Sequence, residues 1–393
     1  MNRLVIIGNG FDLAHGLKTS YKDFIDWYWD QRVAPLIQNN TKVSEDCLCT
    51  LKILDNSEYS SWFDINYSYS IFKDSINGKL CSGIDLLKFL NSHTLDFIII
   101  RRLFFERISN SIETKGWVDI ENEYYKLLKQ LAINREELES EPDFDFEDDT
   151  CLGPCKETYK KLNKQLQFLQ DQLVEYLESL DATEPLSSIK ACLDAPIKEE
   201  DLSALNNENA INSLCNGASF KDKIYYPEQT LFLCFNYTKT AELYIDNPDT
   251  QSINYIHGSL SNKDKIIFGY GDELDKEYND LRDCNDNELL NYIKSVKYLE
   301  APHYKNMLRF IESEPFQVFI MGHSCGNSDR TLLNTIFEHR NCVSIKPFYY
   351  KHDGKDNYLD IVQNISRNFT DMKLFRDRVV DKTKCRPLGQ SIN

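Results

Sequence analysis

The feature that most constrains this chain is a short apolar strand that runs directly into a glycine turn. Leu4 to Ile7 is a continuous apolar run, which predicts a strand covered on both faces, as in a parallel sheet. Gly8-Asn9-Gly10-Phe11-Asp12 follows at once, and Gly16 lies six residues beyond Gly10. Glycines in such a turn let the backbone approach a pyrophosphate closely, and the following helix offers its amides to the anion. We therefore predict a nucleotide-binding α/β domain that begins here.

A turn that serves only the fold is the competing interpretation of these glycines. Their spacing also differs from the G-x-G-x-x-G of dehydrogenases, which argues against that family.

Short apolar runs separated by turn residues return after Pro227. The predicted strands are Leu231–Phe235, Asn254–Ile256, Ile266–Phe268, Gln317–Met321 and Val343–Tyr350, with a helix around Leu332–Glu338 before the last. Strands that alternate with helices predict a parallel, doubly wound sheet, which the amino-terminal strand would join.

The middle of the chain has a different pattern. Tyr159 to Leu180 carries leucines at helical spacing, and Glu137 to Asp149 is an acidic, loop-like run typical of a solvated surface. We predict a Rossmann-like domain from residues 1–40 and 225–380. It is interrupted by a large, mostly helical insertion at 41–224 and followed by a loosely ordered tail at 381–393.

Composition excludes several classes of protein. The formal net charge is −17, so broad nucleic-acid binding is disfavoured because the chain repels phosphate backbones. The apolar run from Phe97 to Phe105 is broken by Arg101 and Arg102, and no run approaches the length of a membrane span. No signal peptide is recognisable, so we expect a cytoplasmic protein without membrane contact.

The twelve cysteines raise the question of a metal site. The closest pairs, Cys47/Cys49 and Cys151/Cys155, lack the CxxC spacing of a zinc knuckle, and no histidine lies near either pair. We expect reduced thiols that act as small apolar side chains, and no metal.

Four polar or glycine-rich segments follow predicted strands. They are Gly8–Asp12 with Gly16-Leu17, Phe235–Thr238, His257-Gly258, and Gly322-His323-Ser324 with Ser328-Asp329. Positions beyond the carboxyl ends of parallel strands meet in one crevice. The sequence therefore predicts a single site.

The same segments resemble the bacteriophage abortive-infection AbiH family. The resemblance rests on LVIIGNGFDLAHGL at residues 4–17, FNYTKTAELY at 235–244, His257-Gly258 and MGHSCGNSD at 321–329. Trp117-Val118-Asp119-Ile120-Glu121 also resembles the WxDxE segment of that family. It implies a prokaryotic anti-phage protein that acts by abortive infection.

A more distant resemblance is to the sirtuin-like fold of several anti-phage proteins that cleave NAD. Those proteins have a GAGxS turn, a strand-end motif of the type QNxD or TNYD, a His-Gly pair and a late GxS. Asp12 stands here at the serine position of the first motif, and Thr238 stands at the aspartate position of the second. This resemblance implies NAD as substrate or ligand, with no tightly bound cofactor.

If the site cleaves NAD, Asn236 and His257 are the predicted catalytic residues. Asn236 would orient the ribose or the attacking water, and His257 would accept a proton. Asp12 or Asp329 would supply the negative charge that Thr238 lacks. The predicted ligand-binding residues are Gly8, Asn9, Gly10, Phe11, Asp12, Gly16, Thr238, Gly322, Ser324 and Asp329.

Three other functions are open. The first is a sensor that binds a nucleotide or a phage product without turnover. The second is an interaction protein that binds a phage component through its helical insertion. Ser324 in Gly322–Gly326 also fits the G-x-S-x-G of hydrolases, but no acid and histidine follow in a suitable order. Further candidate partners are a phage-derived trigger and other copies of the chain in a homo-oligomer.

Overall fold

The structure is a computed structural model that describes residues 1–38, 43–53, 97–115, 118–133, 156–181, 183–204, 224–271 and 273–390. Its contacts divide the chain into two compact units, Met1–Thr19 with Glu178–Asn393, and Ser20–Leu177. The two junctions lie near residues 19 and 177, whereas the sequence analysis drew them near 40 and 224. The domain limits themselves stay a prediction.

The described residues form ten strands and twelve α-helices. The strands are β1 (Asn2–Ile7), β2 (Val43–Glu45), β3 (Cys49–Ile53), β4 (Phe97–Arg101), β5 (Thr230–Cys234), β6 (Gln251–Tyr255), β7 (Phe316–Met321), β8 (Cys342–Phe348), β9 (Lys351–His352) and β10 (Lys355–Asp356). The helices are α1 (Asn9–Ala14), α2 (Tyr21–Gln38), α3 (Leu103–Lys115), α4 (Ile120–Ala132), α5 (Lys156–Glu178), α6 (Ser187–Leu193), α7 (Lys276–Asp283), α8 (Lys294–Lys297), α9 (His303–Ser313), α10 (Arg330–Phe337), α11 (Tyr358–Arg367) and α12 (Met372–Arg378).

A five-stranded parallel sheet forms the centre of the first unit. Its order is β6-β5-β1-β7-β8, so β1 is the middle strand. Every residue of β1, β5, β7 and β8 is buried. The predictions of an α/β fold, a parallel sheet and a fully covered first strand are confirmed.

Helices cover both faces of this sheet. Side chains of β1 alternate between the faces, so that Leu4 and Ile6 pack in one cluster while Val5 and Ile7 pack in the other. The first cluster includes side chains from α9, α10 and α11. The second includes side chains from α1, α6 and the 3₁₀ turn Thr240–Tyr244.

The strand order reverses direction beside β1. The chain proceeds outward through β5 and β6 on one side, then returns to β7 next to β1 and continues to β8. The carboxyl ends of β1 and β7 therefore lie at the point where the strand order reverses, which is where open α/β sheets bind their ligands.

The second unit contains α2 to α4, most of α5, and an antiparallel sheet of β2, β3 and β4. The predicted leucine stripe of α5 is confirmed, since its five leucines are all buried: Leu162, Leu166, Leu169, Leu173 and Leu177. The sequence analysis predicted no strands here. β3 pairs with β4 across more than forty residues of chain, and local periodicity does not reveal such a pairing.

One predicted strand is wrong. Ile266–Phe268 is buried but irregular: the Ile267 amide donates to the His257 carbonyl at 2.8 Å, and the following Tyr270 bridges to Ile293. The apolar run reflects burial of a loop over the carboxyl edge of the sheet, rather than a sixth strand.

The loosely ordered tail at 381–393 stays a prediction, and residues 381–390 of it contact the sheet region. The Leu388 amide donates to the Tyr349 carbonyl at 2.8 Å, and the Leu388 side chain packs against one face of the sheet. This apolar contact places the segment beside the sheet. Residues 391–393 and the acidic run Glu137–Asp149 lie outside the described residues.

Candidate functional site

Two glycine turns lie in direct backbone contact at the carboxyl ends of β1 and β7. The Gly8 amide donates to the Met321 carbonyl at 3.2 Å, and the Gly10 amide donates to the Gly322 carbonyl at 2.8 Å. A Cβ on Gly322 would overlap the backbone nitrogen of Phe11, and Gly322 has a φ of +77°. Only glycine satisfies both conditions without strain.

This contact changes the interpretation of the amino-terminal turn. The turn was expected to bring its backbone close to a pyrophosphate, but the Gly8 amide is engaged by the Met321 carbonyl at the end of β7 and the Gly10 amide by the Gly322 carbonyl just after it. Phe11 is fully buried in the core. Asn9 is the exposed residue of the turn. Ligand contact by these four residues stays a prediction, and packing is the role that their geometry gives to Gly8, Gly10 and Phe11.

Gly16 ends α1. Its φ is +81°, its amide donates to the Leu13 carbonyl at 3.0 Å, and the Leu17 amide donates to the Asp12 carbonyl at 3.1 Å. This pair of bonds is the Schellman arrangement, in which glycine is the favoured residue. The helix end accounts for Gly16 without a ligand.

Asn236 connects the end of β5 to the turn after β1. Its Nδ2 donates to the Gly8 carbonyl at 3.0 Å, and the side chain is partly exposed. The side-chain oxygen of Asn236, Oδ1, takes no part in this hydrogen bond. The two predicted strand ends therefore meet.

Asp12, Thr238 and Thr240 form a buried polar group that we call the Asp12 cluster. Thr238 Oγ1 donates to Asp12 Oδ2 at 2.6 Å, and Thr240 Oγ1 lies 3.4 Å from Thr238 Oγ1. Burial raises the pKa of Asp12, and the neighbouring polar side chains of Thr238, Thr240 and Asn236 oppose that rise. The Asp12 carboxyl group thus lies beside Thr238, which stands at the position where the strand-end motif of the sirtuin-like proteins has an aspartate.

His15 extends from this region to a tyrosine that the sequence analysis did not single out. Its Nδ1 lies 2.7 Å from the Phe11 carbonyl, and its Nε2 lies 2.6 Å from the hydroxyl of Tyr244. Because a carbonyl only accepts, Nδ1 carries the hydrogen and Nε2 accepts from Tyr244. Burial lowers the pKa of His15, which favours this neutral form.

The second polar group, the Asp329 cluster, consists of Asp329, Lys294, His257 and His323. Lys294 Nζ lies 2.8 Å from Asp329 Oδ1, and its side chain is fully buried. His257 Nε2 lies 3.3 Å from the same oxygen, while His323 Nε2 lies 3.5 Å from Oδ2. The ring of Phe235 contacts both imidazoles. Residues after β5, β6 and β7 are therefore brought together, as predicted.

Hydrogen bonds fix the tautomers of both histidines. The Cys325 amide donates to His323 Nδ1 at 3.0 Å, so the hydrogen of that ring lies on Nε2, towards Asp329. His257 Nε2 also faces the carboxylate and lies 3.1 Å from the Tyr298 hydroxyl. The lone pair of His257 is accordingly on Nδ1.

The charges of the cluster compensate one another. Burial alone would raise the pKa of Asp329, but the charge of Lys294 and the hydrogen bonds of the two histidines outweigh it and hold that pKa well below its usual value. Burial, followed by the charge of Lys294, lowers the pKa of His257 to about 4. At neutral pH the cluster holds an Asp⁻–Lys⁺ pair and a neutral His257 imidazole.

Sequence reasoning missed Lys294 and Tyr298. Both lie between predicted strands, in a stretch without a glycine turn or a strand end. The Cβ that Gly271 lacks would lie 3.0 Å from Lys294 Cβ, so this glycine leaves room for the lysine. No pattern in the sequence indicates that pairing.

Ser324 is exposed at the same edge, and the neighbouring His323 is not available to it as a base. Both nitrogens of the neighbouring His323 are engaged, one by the Cys325 amide and one by Asp329. A hydrolase-type Ser-His pair is therefore not formed there.

The WxDxE segment lies in the second unit. The Asp119 carboxylate accepts from the Asn122 amide at 3.0 Å and caps α4, and Glu121 is buried in the first turn of that helix. Trp117 lies outside the described residues, as do Cys151 and Cys155. Cys47 and Cys49 are unpaired thiols.

Neither a cluster of metal ligands nor a membrane-spanning helix is present in the described part of the chain. No group of three or more His, Cys, Asp or Glu side chains there is arranged to hold a metal ion. None of the helices described is long and apolar enough to cross a membrane.

Comparison with known proteins identifies the family. Residues 4–351 match the family model described as bacteriophage abortive infection AbiH. The match spans all four strand-end segments. No curated protein matches the chain.

Replacing Gly322 with alanine is expected to cost at least about 3 kcal/mol of unfolding free energy, because a positive φ and a backbone overlap both oppose a side chain. Gly354 is a matched control, with a φ of +76° and nothing within 4 Å of its missing Cβ. Alanine there should cost only about 1–2 kcal/mol. Denaturant unfolding measures both, and equal losses would contradict the turn contact.

His257 should make the protein less stable in acid. Between pH 6.5 and about 4 the unfolded chain binds a proton at this residue that the folded protein excludes, so stability is lost as the pH falls through that window. His257→Gln is expected to remove up to about 3 kcal/mol of that loss. Urea unfolding from pH 7 to pH 4 measures the difference.

His352→Gln serves as the control for that experiment, because the His352 side chain is 68% exposed. This variant should keep the pH dependence of the parent protein. Identical pH profiles for His257→Gln and the parent would show that His257 is not held neutral by burial.

Proposed function

This chain belongs to the bacteriophage abortive infection AbiH family, and from that premise we propose that it binds and hydrolyses NAD or a related nucleotide. The fold that we propose is Rossmann-like, of the sirtuin-like type, with the site at the carboxyl edge of the parallel sheet. Loss of NAD would deprive an infected cell of a central metabolite, which agrees with abortive infection.

The observation that carries the proposal is the meeting of four strand ends beside the reversal of strand order. Asn236 after β5 bonds to Gly8 after β1, and Gly322 after β7 packs against the same turn. His257 after β6 shares Asp329 with His323 after β7. This edge is where nucleotides bind in open α/β sheets.

The proposed reaction breaks the bond between the nicotinamide nitrogen and C1′ of the ribose. The bonding electron pair leaves with the nicotinamide nitrogen, which loses its positive charge, while a water oxygen bonds to C1′. The proton of that water passes to Nδ1 of His257 and from there to solvent. The sugar acquires oxocarbenium character on the way, as in glycoside hydrolysis.

The Asp329 cluster supports the proton-accepting role of His257. Asp329 holds the hydrogen on Nε2, which leaves Nδ1 as the basic nitrogen, and Lys294 compensates the carboxylate charge. A pKa of about 4 keeps the His257 imidazole neutral at pH 7, with its lone pair free to take a proton, but makes it a weak base that must pass the proton on to solvent at once. Asn236, with Oδ1 not engaged by Gly8, orients the ribose or the water.

A second candidate function is a sensor that binds the nucleotide or a phage product without turnover. Burial of the reacting groups favours it, because Asp12 is 2% and His257 4% exposed. A phage-derived trigger that opens this edge of the sheet would convert one function into the other.

NAD turnover and NAD-dependent thermal stabilisation distinguish these functions. The purified protein should convert NAD to nicotinamide and ADP-ribose, with Asn236→Ala and His257→Ala each at least about a hundredfold slower. His352→Gln, at an exposed position, should keep the parent rate.

Other results of that experiment lead to different conclusions. Stabilisation without turnover would support the sensor. Unchanged turnover in both alanine variants would refute the assigned catalytic residues. Neither stabilisation nor turnover would refute NAD as the ligand.

A further inference from the structure

Asp12 has a buried carboxyl group in which one oxygen accepts a hydrogen bond and the other does not. Thr238 donates to Oδ2 at 2.6 Å, whereas Oδ1 is shielded from solvent and has no hydrogen-bond partner among the described residues. A buried acceptor without a partner costs roughly 1–3 kcal/mol. Such a cost is commonly offset when a ligand supplies the missing donor.

The Asp12 carboxyl group lies beside the proposed site, next to Asn236. Asp12 lies in the helix that follows the Gly8–Gly10 turn, and Thr238 lies two residues after Asn236. Asn236 is close enough to Asp12 to affect its pKa. The carboxyl group therefore neighbours the bond that joins the ends of β1 and β5.

The surroundings of Asp12 select the chemistry of the missing donor. The side chains that act on its charge are Thr238, Thr240 and Asn236, together with the more distant His15, which is neutral. No lysine or arginine is among them, so nothing beside the carboxyl group attracts a phosphate. A sugar hydroxyl is an uncharged donor of suitable size.

We propose that Asp12 Oδ1 accepts a hydrogen bond from a ribose hydroxyl of the bound nucleotide, while Thr238 holds Oδ2 in place. The inference rests on the proposed function and adds a sugar-binding residue to it. Threonine at position 238 then does not remove the carboxyl group from the site, because the carboxyl group is carried by position 12 on the neighbouring strand end.

The test is equilibrium binding of ADP-ribose and of NAD by titration calorimetry. ADP-ribose retains the ribose hydroxyls and lacks nicotinamide, so it reports on the sugar contact without turnover. Asp12→Asn and Asp12→Leu should each weaken binding of both ligands at least tenfold, since leucine removes the acceptor and asparagine, with its amide oxygen held by Thr238, presents a donor in its place. Thr238→Val, which removes only the positioning bond, should weaken it less.

Asp201→Asn is the matched control. Asp201 is also a buried acid with an unpartnered Oδ1, but it pairs with Lys346 on β8. Its substitution should leave ligand affinity unchanged in folded protein. Denaturant unfolding of each variant in the absence of ligand shows whether the variant is folded.

A double variant that exchanges the side chains of positions 12 and 238 separates loss of the carboxyl group from disruption of the local structure. Asp12→Thr combined with Thr238→Asp returns one carboxyl group to the same pair of positions. It should regain part of the affinity that Asp12→Thr alone loses.

The outcomes separate this inference from the function on which it rests. Parent-like affinity in Asp12→Asn and Asp12→Leu would overturn the sugar contact and leave nucleotide binding intact. No binding of either ligand by the parent protein would overturn the proposed function, and the sugar contact with it. Loss of affinity in the Asp12 variants, with the control unchanged, would establish the contact.

Discussion

The backbone contact between the turns after β1 and β7 determines where every other group of the site lies. Gly322 adopts a positive φ and lies against the start of α1 so closely that no side chain fits. This contact ties the middle strand to its neighbour where the strand order reverses. Asn236 then joins the end of β5 to the same turn through the Gly8 carbonyl. The site is thus a consequence of close backbone packing at one edge of the sheet.

Two polar clusters flank this contact and differ in charge. The Asp329 cluster is compensated internally, because Lys294 pairs with the carboxylate and His257 is neutral. Such a buried pair is costly to break but contributes little net stability, so its value lies in fixing the orientation of His257. The Asp12 cluster contains a carboxyl group and no cation. One cluster is suited to holding a base in a fixed tautomer, and the other to receiving an uncharged donor.

The sequence predicted the parts of the fold that are determined locally. An apolar run followed by glycines predicted β1, and the apolar runs after Pro227 predicted the other four strands of the sheet. Lys294 could not be found in this way, because its role depends on Asp329, 35 residues later, and on space beside Gly271. Ile266–Phe268 was mistaken for a strand because burial of a loop gives the same apolar composition. The glycines were predicted at the ends of strands, but the packing of Gly8 and Gly10 against the turn after β7 became visible only in three dimensions.

Hydrogen–deuterium exchange of the intact protein with and without NAD tests the central claim most directly, because it locates the ligand on the chain. The account predicts slower exchange at residues 8–16, 236–240, 257–258 and 322–329, the segments at the carboxyl ends of β1, β5, β6 and β7. The amino-terminal ends of the same strands should exchange as before. Protection confined to other parts of the chain, or no change at saturating NAD, would contradict a nucleotide site at this edge of the sheet.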